Sequence, residues 1–175
     1  DYNTSYTVLN SGGTAFSTTS RFRFKLVADN NEYVYLDDIL ISGTLIVKPE
    51  IDIIDVDGDP IDDGGVNSPA LLNDTDFGSV NSGSSVTKTY TIENNGNANL
   101  NISSWSSSNG DYVVDNFGLT VIPFGSSTTF DVTFTPSGNG TISSIVTINN
   151  DDFAPEDEYT FNVQGVGEVP FCSST

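Results

Sequence analysis

The stretch that decides the fold is Thr128-Thr129-Phe130-Asp131-Val132-Thr133-Phe134-Thr135, followed by Pro136-Ser137-Gly138-Asn139-Gly140 and then by Thr141-Ile142-Ser143-Ser144-Ile145-Val146-Thr147-Ile148-Asn149. Phe130, Val132 and Phe134 alternate with polar residues, the period-2 signature of a strand with one buried face. Val146 and Ile148 repeat it after a Pro/Gly/Asn turn. The same reading extends in both directions. It predicts strands over 85–93 (Val86, Tyr90, Ile92), 100–105, 112–114, 118–122 and 158–164 (Tyr159, Phe161, Val163), and a strand start at Ile51 and Ile53. Turn signals at Asn94-Asn95-Gly96-Asn97, Asn109-Gly110 and Asn149-Asn150-Asp151-Asp152 separate them. Nowhere does an apolar i, i+3, i+4, i+7 pattern persist over the length of a helix, so the chain reads as all-β. About seven short strands at this spacing suit an immunoglobulin-like β-sandwich. No disulfide is available to pin it, and Trp105, Phe130, Phe134 and Phe161 are the expected core.

Upstream, Arg21-Phe22-Arg23-Phe24-Lys25-Leu26-Val27 is a strand with Phe22, Phe24 and Leu26 on one face and three of the five basic residues on the other. Glu32 to Ser42 follows as one or two more strands. Pro49 in Val47-Lys48-Pro49-Glu50 resets the register, because proline cannot donate in a central ladder. The expected organisation is therefore residues 1–48 as strands of an incomplete β domain, 49–167 as the sandwich, and 168–175 as a linker or tail.

Composition narrows the function. The 175 residues carry 5 Lys+Arg against 24 Asp+Glu, a formal net charge of −19, and no His. Such a polyanion is repelled by nucleic acid and by anionic lipid surfaces. Without His there is no Ser-His-Asp or Cys-His catalysis and no His-ligated zinc. One Cys and no Met exclude a disulfide framework and soft-metal chemistry. Cys172 follows the last strand and is expected either to pair outside this segment or to stay a free thiol. No apolar run is long enough to span a bilayer, and the beginning of the chain lacks the basic and apolar regions of a signal peptide, so a processed or excised segment is expected. The scarcity of Lys and the wealth of Asp, Asn, Ser and Thr suggest a secreted or cell-surface protein without membrane insertion.

Several ordered motifs also resemble a known family. They are Asp76-Phe77-Gly78-Ser79-Val80, Tyr90-Thr91-Ile92-Glu93-Asn94-Asn95-Gly96 with Leu100, and Ile122-Pro123-Phe124-Gly125-Ser126-Ser127 leading into Phe130 to Pro136. Ile148-Asn149-Asn150-Asp151-Asp152 and Phe161-Asn162-Val163-Gln164-Gly165-Val166-Gly167 complete the set. Together, over residues 49–167, they resemble the Hydin-like (ASH) and choice-of-anchor D domains. That resemblance implies a sandwich like that of the chaperone PapD, no catalytic residues, and in bacteria a place in large secreted or surface-anchored proteins. Eukaryotic relatives are ciliary or centrosomal, and the acidic charge fits the bacterial branch better, since microtubules are themselves acidic. Phe22-Arg23-Phe24 with Asn31 to Ile39 resembles the closing strands of a MAM-like or carbohydrate-binding jelly roll, of which this would be the C-terminal part.

Candidate chemistry rests on carboxylates. Asp55, Asp57, Asp59, Asp62 and Asp63, with Gly58, Gly64 and Gly65 between and after them, suit a structural Ca²⁺, which takes six to eight oxygen ligands in relaxed geometry. As an EF-hand the loop fails, since Pro60 stands at position 6 and Val66 at position 12. A solvated acidic turn is the other reading, and both stay open here. Asp38, beside the last strand of the jelly-roll segment, is a second Ca²⁺ candidate, set against an edge-strand charge that discourages sheet pairing. Asn149 to Asp152 with Glu156-Asp157-Glu158 is a third acidic stretch, which turn chemistry explains without a ligand. No nucleophile stands with a base and no glycine loop suits a phosphate, so the chain is expected not to be an enzyme. The expected role is a structural or adhesive module whose partners are other domains of the same larger protein, and a cell-surface protein or glycan. The alternative is an accessory, carbohydrate-binding module of an exported hydrolase, with Tyr33 and Tyr35 as binding candidates.

Overall fold

The computed structural model describes residues 47–169. The chain divides between Ile46 and Val47 into two units, and the described residues belong to the second. The segment expected to supply jelly-roll strands, with Asp38, Tyr33 and Tyr35, and also Cys172, lie outside the described residues.

Among the described residues, nine strands form two sheets. They are β1 (Ile51–Ile54), β2 (Asp76–Asn81), β3 (Val86–Asn94), β4 (Leu100–Ser107), β5 (Tyr112–Asp115), β6 (Val121–Ile122), β7 (Ser127–Phe134), β8 (Gly140–Asn150) and β9 (Glu158–Glu168). One sheet has the order β1-β3-β7-β5 and the other β2-β9-β8-β4-β6. All pairs are antiparallel except β2 with β9. The only helical element among the described residues is a single 3₁₀ turn at Asp63–Gly65. This is the expected all-β sandwich.

The strand alternation builds the core directly. Tyr90 and Ile92 of β3, Phe130, Val132 and Phe134 of β7, Val146 and Ile148 of β8, and Phe161 and Val163 of β9 are all buried between the sheets. Their partners in sequence, among them Thr87, Thr89, Thr129, Thr147 and Asn162, line the outer faces. There Thr87 bonds Thr133 at 2.8 Å, and the Thr89 hydroxyl donates to Asp131 at 2.6 Å. Tyr90 and Tyr112 bury their rings and still donate their hydroxyls, to the carbonyls of Asp74 and Ile142 (both 2.9 Å). Burial raises both phenols above their ordinary value. Glycine is required at position 165 on β9, since a Cβ there would stand 2.4 Å from the Phe134 ring of the facing sheet.

Three expectations need correction. Trp105 is not core: it sits at the open flank, 37% exposed, stacked on Phe117. The strand over 118–122 shrinks to Val121–Ile122, because residues 112–122 cross from one sheet to the other. Gly118 N–H still donates to Thr129 on β7, while Ile102 N–H of β4 already reaches Thr120. Finally, Asp76–Asn81, read for its motif and not as a strand, is β2. Its alternation is short and interrupted by Gly78 at φ +65°, with a register shift between Asp76 and Ser79.

The two ends of this unit lie at opposite poles. β1 begins at Ile51 opposite Asn94, the last residue of β3. β9 finishes at Glu168 beside Asn81 of β2, and Ser82 N–H, a few residues before the start of β3, donates to Glu168. The nine-residue β3 separates the two poles, roughly 30 Å at strand rise.

Candidate functional site

The pole where the chain comes in is densely hydrogen-bonded. Asn94 is fully buried at the end of β3 and uses its whole amide. Its Nδ2 donates to the carbonyls of Ala98 (2.8 Å) and Ile122 (2.9 Å), and its Oδ1 accepts from Gly96 (3.1 Å) and Glu50 (3.3 Å). The turn it supports holds the incoming segment. Lys48 N–H donates to Asn97 Oδ1 at 2.7 Å, the Lys48 carbonyl accepts from Asn97 and Ala98, and the Glu50 carbonyl accepts from Asn95. Ile51 N–H, at the free edge of β1, donates to Asp152 Oδ2 at 2.9 Å. Backbone groups that a linker ordinarily leaves to water are thus tied into the sandwich from Lys48 onward. Gly96 is needed because a Cβ there would lie 2.4 Å from the Lys48 carbonyl.

Carboxylates converge above this clamp. Oxygens of Glu50, Asp152 and Glu156 lie within 4.8 Å of one another, the only such group of three among the described residues. Asp152 is buried, and its second oxygen accepts from Phe153 N–H at 2.6 Å. Lys48 pairs with Glu50, a hydrogen bond that raises the ammonium above its ordinary value. Glu156 is likewise pushed up, first by desolvation and then by the charges of Glu50 and Asp152. With one oxygen from each, the three carboxylates supply fewer ligands than the six to eight that Ca²⁺ takes, so any ion held that way would carry water as well.

The predicted acidic loop is built differently. Asp55 is 2% exposed, and its Oδ1 accepts from Asp57 N–H (2.9 Å) and Asp59 N–H (2.8 Å), closing the turn after β1. Asp63 Oδ1 accepts Thr160 N–H of β9 at 2.7 Å. With Ser68 accepting Asn162 N–H at 2.9 Å, this seals the edge of β9 below β2. Asp57 and Asp62 point to solvent and Asp59 is partly exposed. The structure does not bring the five together.

Sequence reasoning placed Asn94 and Asp152 in turns and missed what they do. Their Asn- and Asp-rich surroundings were visible; their partners are distant in sequence, Glu50 lying 44 residues from Asn94 and Ile51 101 residues from Asp152.

Comparison with known proteins gives the same architecture. The family model for the HYDIN/CFA65/VesB-like Ig-like domain matches residues 71–166, more than half of the chain. A protein of unknown function from Porphyromonas gingivalis W83 superposes with TM-score 0.52 at 17% identity, over 71% of this chain and 50% of that one. The secreted serine protease VesC from Vibrio cholerae gives TM-score 0.40 at 18% identity, over 54% of this chain and 21% of its own. PapD-like domain 7 of human CEP192 gives 0.44 at 11% identity, over 81% and 100%. The chain therefore spans half the length of the Porphyromonas protein and 21% of VesC. No curated protein matches the sequence.

Proposed function

The chain belongs to the HYDIN/CFA65/VesB-like Ig-like domain family, and from that premise we propose that it is a non-catalytic, in-line spacer module of a larger exported protein. The observation that carries this reading is the path of the backbone. It comes in at Lys48–Ile51 against the Asn94 turn and leaves at Glu168 beside Asn81, at the opposite pole. A module threaded this way holds its neighbours apart by its own length. The clamp on Lys48–Ile51 makes the incoming joint stiff. Both outer sheet faces are rich in Thr, Ser and Asn, which suits a solvated spacer. Export is supported by the carboxylate-based surface, poor in Lys and rich in Asp, Asn, Ser and Thr.

A second reading, an accessory module of an exported hydrolase, is favoured by the family's own description, which includes VesB, a protease of Vibrio cholerae. It shares the spacer geometry and differs in what stands next to the module. The test is replacement of residues 49–167 in the full-length protein by a Gly/Ser linker. The spacer role predicts a shorter and broader distribution of overall dimensions in small-angle scattering, with any neighbouring enzymatic activity on a small soluble substrate unchanged. Loss of that activity would overturn the non-catalytic reading.

A further inference from the structure

The chain holds three Asn-Gly dipeptides, Asn95-Gly96, Asn109-Gly110 and Asn139-Gly140, each at a connection between strands. Asparagine is a thermolabile residue, and most so before glycine, which lets the side chain approach the next backbone nitrogen without a Cβ in the way. The fold treats the three differently. Asn95 donates its Nδ2 to Asp52 and its N–H to the Glu50 carbonyl, both at 2.8 Å, while Gly96 N–H donates to Asn94 Oδ1 at 3.1 Å. Asn109 is held at both ends of its amide. Its Nδ2 donates to the Ser143 carbonyl at 3.1 Å, and its Oδ1 accepts from Asp111 N–H at 3.0 Å. Asn139 is exposed, and its side chain makes no hydrogen bond among the described residues. Gly140 after it has φ +102° and open space where a Cβ would stand. Opposite Gly167, it forms the terminal rung of the β8–β9 ladder. Such an end opens more readily than the interior of a sheet.

We propose that Asn139 is a site of spontaneous deamidation, with water as the co-reactant. The Gly140 backbone nitrogen loses its proton to solvent and bonds to Asn139 Cγ. The Cγ–Nδ2 bond breaks, Nδ2 takes up a proton and leaves as ammonia, and a succinimide closes. Water then adds to one of the two ring carbonyls and breaks its bond to the ring nitrogen, giving aspartate or isoaspartate. Overall a water is consumed and an ammonia released, with no change of oxidation state. Asn95 and Asn109 must give up the bonds above before their Cγ can turn to the next nitrogen. Either product puts a new carboxylate on the turn between β7 and β8, where Ser137 already donates its N–H and hydroxyl to Asp111. Isoaspartate also lengthens the backbone of that turn by a methylene. The turn lies against β9, since a Cβ at Gly167 would run into the Gly138 carbonyl. The modification therefore marks the pole from which the chain leaves.

For the test, the full chain is kept for weeks in mildly alkaline buffer at body temperature, folded and in guanidinium. Tandem mass spectrometry then locates the products, and an isoaspartyl methyltransferase counts isoaspartate. In the folded protein Asn139 should convert about ten-fold faster than Asn95 and Asn109 or more, because hydrogen bonds that must break add to their barrier. Guanidinium should bring the three rates together. Asn139→Gln, a change at an exposed and unbonded side chain, should leave the fold intact and abolish the early acidic shift on isoelectric focusing. Equal rates at all three sites in the folded protein would overturn the proposal, as would an Asn139 that stays intact while Asn95 or Asn109 converts. So would the same lead for Asn139 in guanidinium, which would trace it to neighbouring residues and not to the fold, or an early acidic shift that survives Asn139→Gln.

Discussion

Two acidic regions of this molecule look alike in composition and differ in construction. Asp55 to Asp63 packs five carboxylates into nine consecutive residues, yet they diverge: Asp55 and Asp63 are spent on backbone N–H groups, and Asp57 and Asp62 face water. Glu50, Asp152 and Glu156 come from segments about a hundred residues apart, yet three of their oxygens meet. Local density of like charge makes a chain spread its side chains, whereas a fold can force distant carboxylates together if something else holds them there. Here that something is the hydrogen bonding that fixes the incoming segment, in which Asp152 serves Ile51. Carboxylates in the first region close turns and seal an edge; in the second they crown a joint.

The comparison can be broken most severely at Asn94. Asn94→Ala removes four hydrogen bonds at a fully buried position and should cost about 2–4 kcal/mol in urea unfolding. A cost indistinguishable from that of a surface substitution would mean the joint is not clamped as described. Next come the two buried carboxylates, one from each region. Asp152→Ala strands Ile51 N–H and Asp55→Ala strands two turn amides, and each should cost about 1–3 kcal/mol. Amide exchange would separate them, with protection lost at Ile51 in the first variant and at Asp57 and Asp59 in the second. If exchange rose at the same amides in both, the two regions would be one cooperative unit.

Smaller effects sharpen the contrast. Glu156 has a folded-state value above its ordinary 4.5, so its contribution to stability is fully present below the unfolded value and is lost as pH rises through the folded one. Glu156→Gln should therefore raise the melting temperature slightly at neutral pH, with the gain vanishing below the ordinary Glu range. A variant less stable than wild type at neutral pH would show that Glu156 is held by attraction and not repelled. The smallest effect belongs to Asp57→Asn with Asp59→Asn, expected within about 0.5 kcal/mol of wild type in Ca²⁺ or in chelator, as for surface positions generally. A Ca²⁺-dependent rise in melting temperature that the double variant abolishes would show that the loop gathers around an ion after all.

How much of this was legible follows from the range of the interactions. The alternation of Phe130, Val132 and Phe134 carries its own burial, so the core was readable residue by residue. Trp105 was misplaced because alternation tells which way a side chain points and not whether the opposite sheet extends far enough to cover it. The crossing segment 112–122 leaves that flank open. β2 was hidden by Gly78 and by a parallel pairing to β9, Asp76 with Gln164 and Val80 with Gly167, which no local pattern announces. The clamp was half visible: Asn94-Asn95-Gly96-Asn97 reads as a turn, but its bonds to Lys48 and Glu50 span more than forty residues. The family resemblance succeeded where local reading did not, since Asp76 to Val80 was singled out by motif before it could be seen as a strand.

The central claim is that the incoming end is pinned and the outgoing end lies at the far pole. Spin labels at Val47→Cys and Val169→Cys in a Cys172→Ser background measure it directly by pulsed dipolar spectroscopy on the full chain. A single narrow distance of roughly 30 Å or more, the length of a nine-residue strand plus the labels, is the expected result. A broad distribution, or one centred well below about 20 Å, too short for the span of such a strand, would contradict the in-line, clamped module.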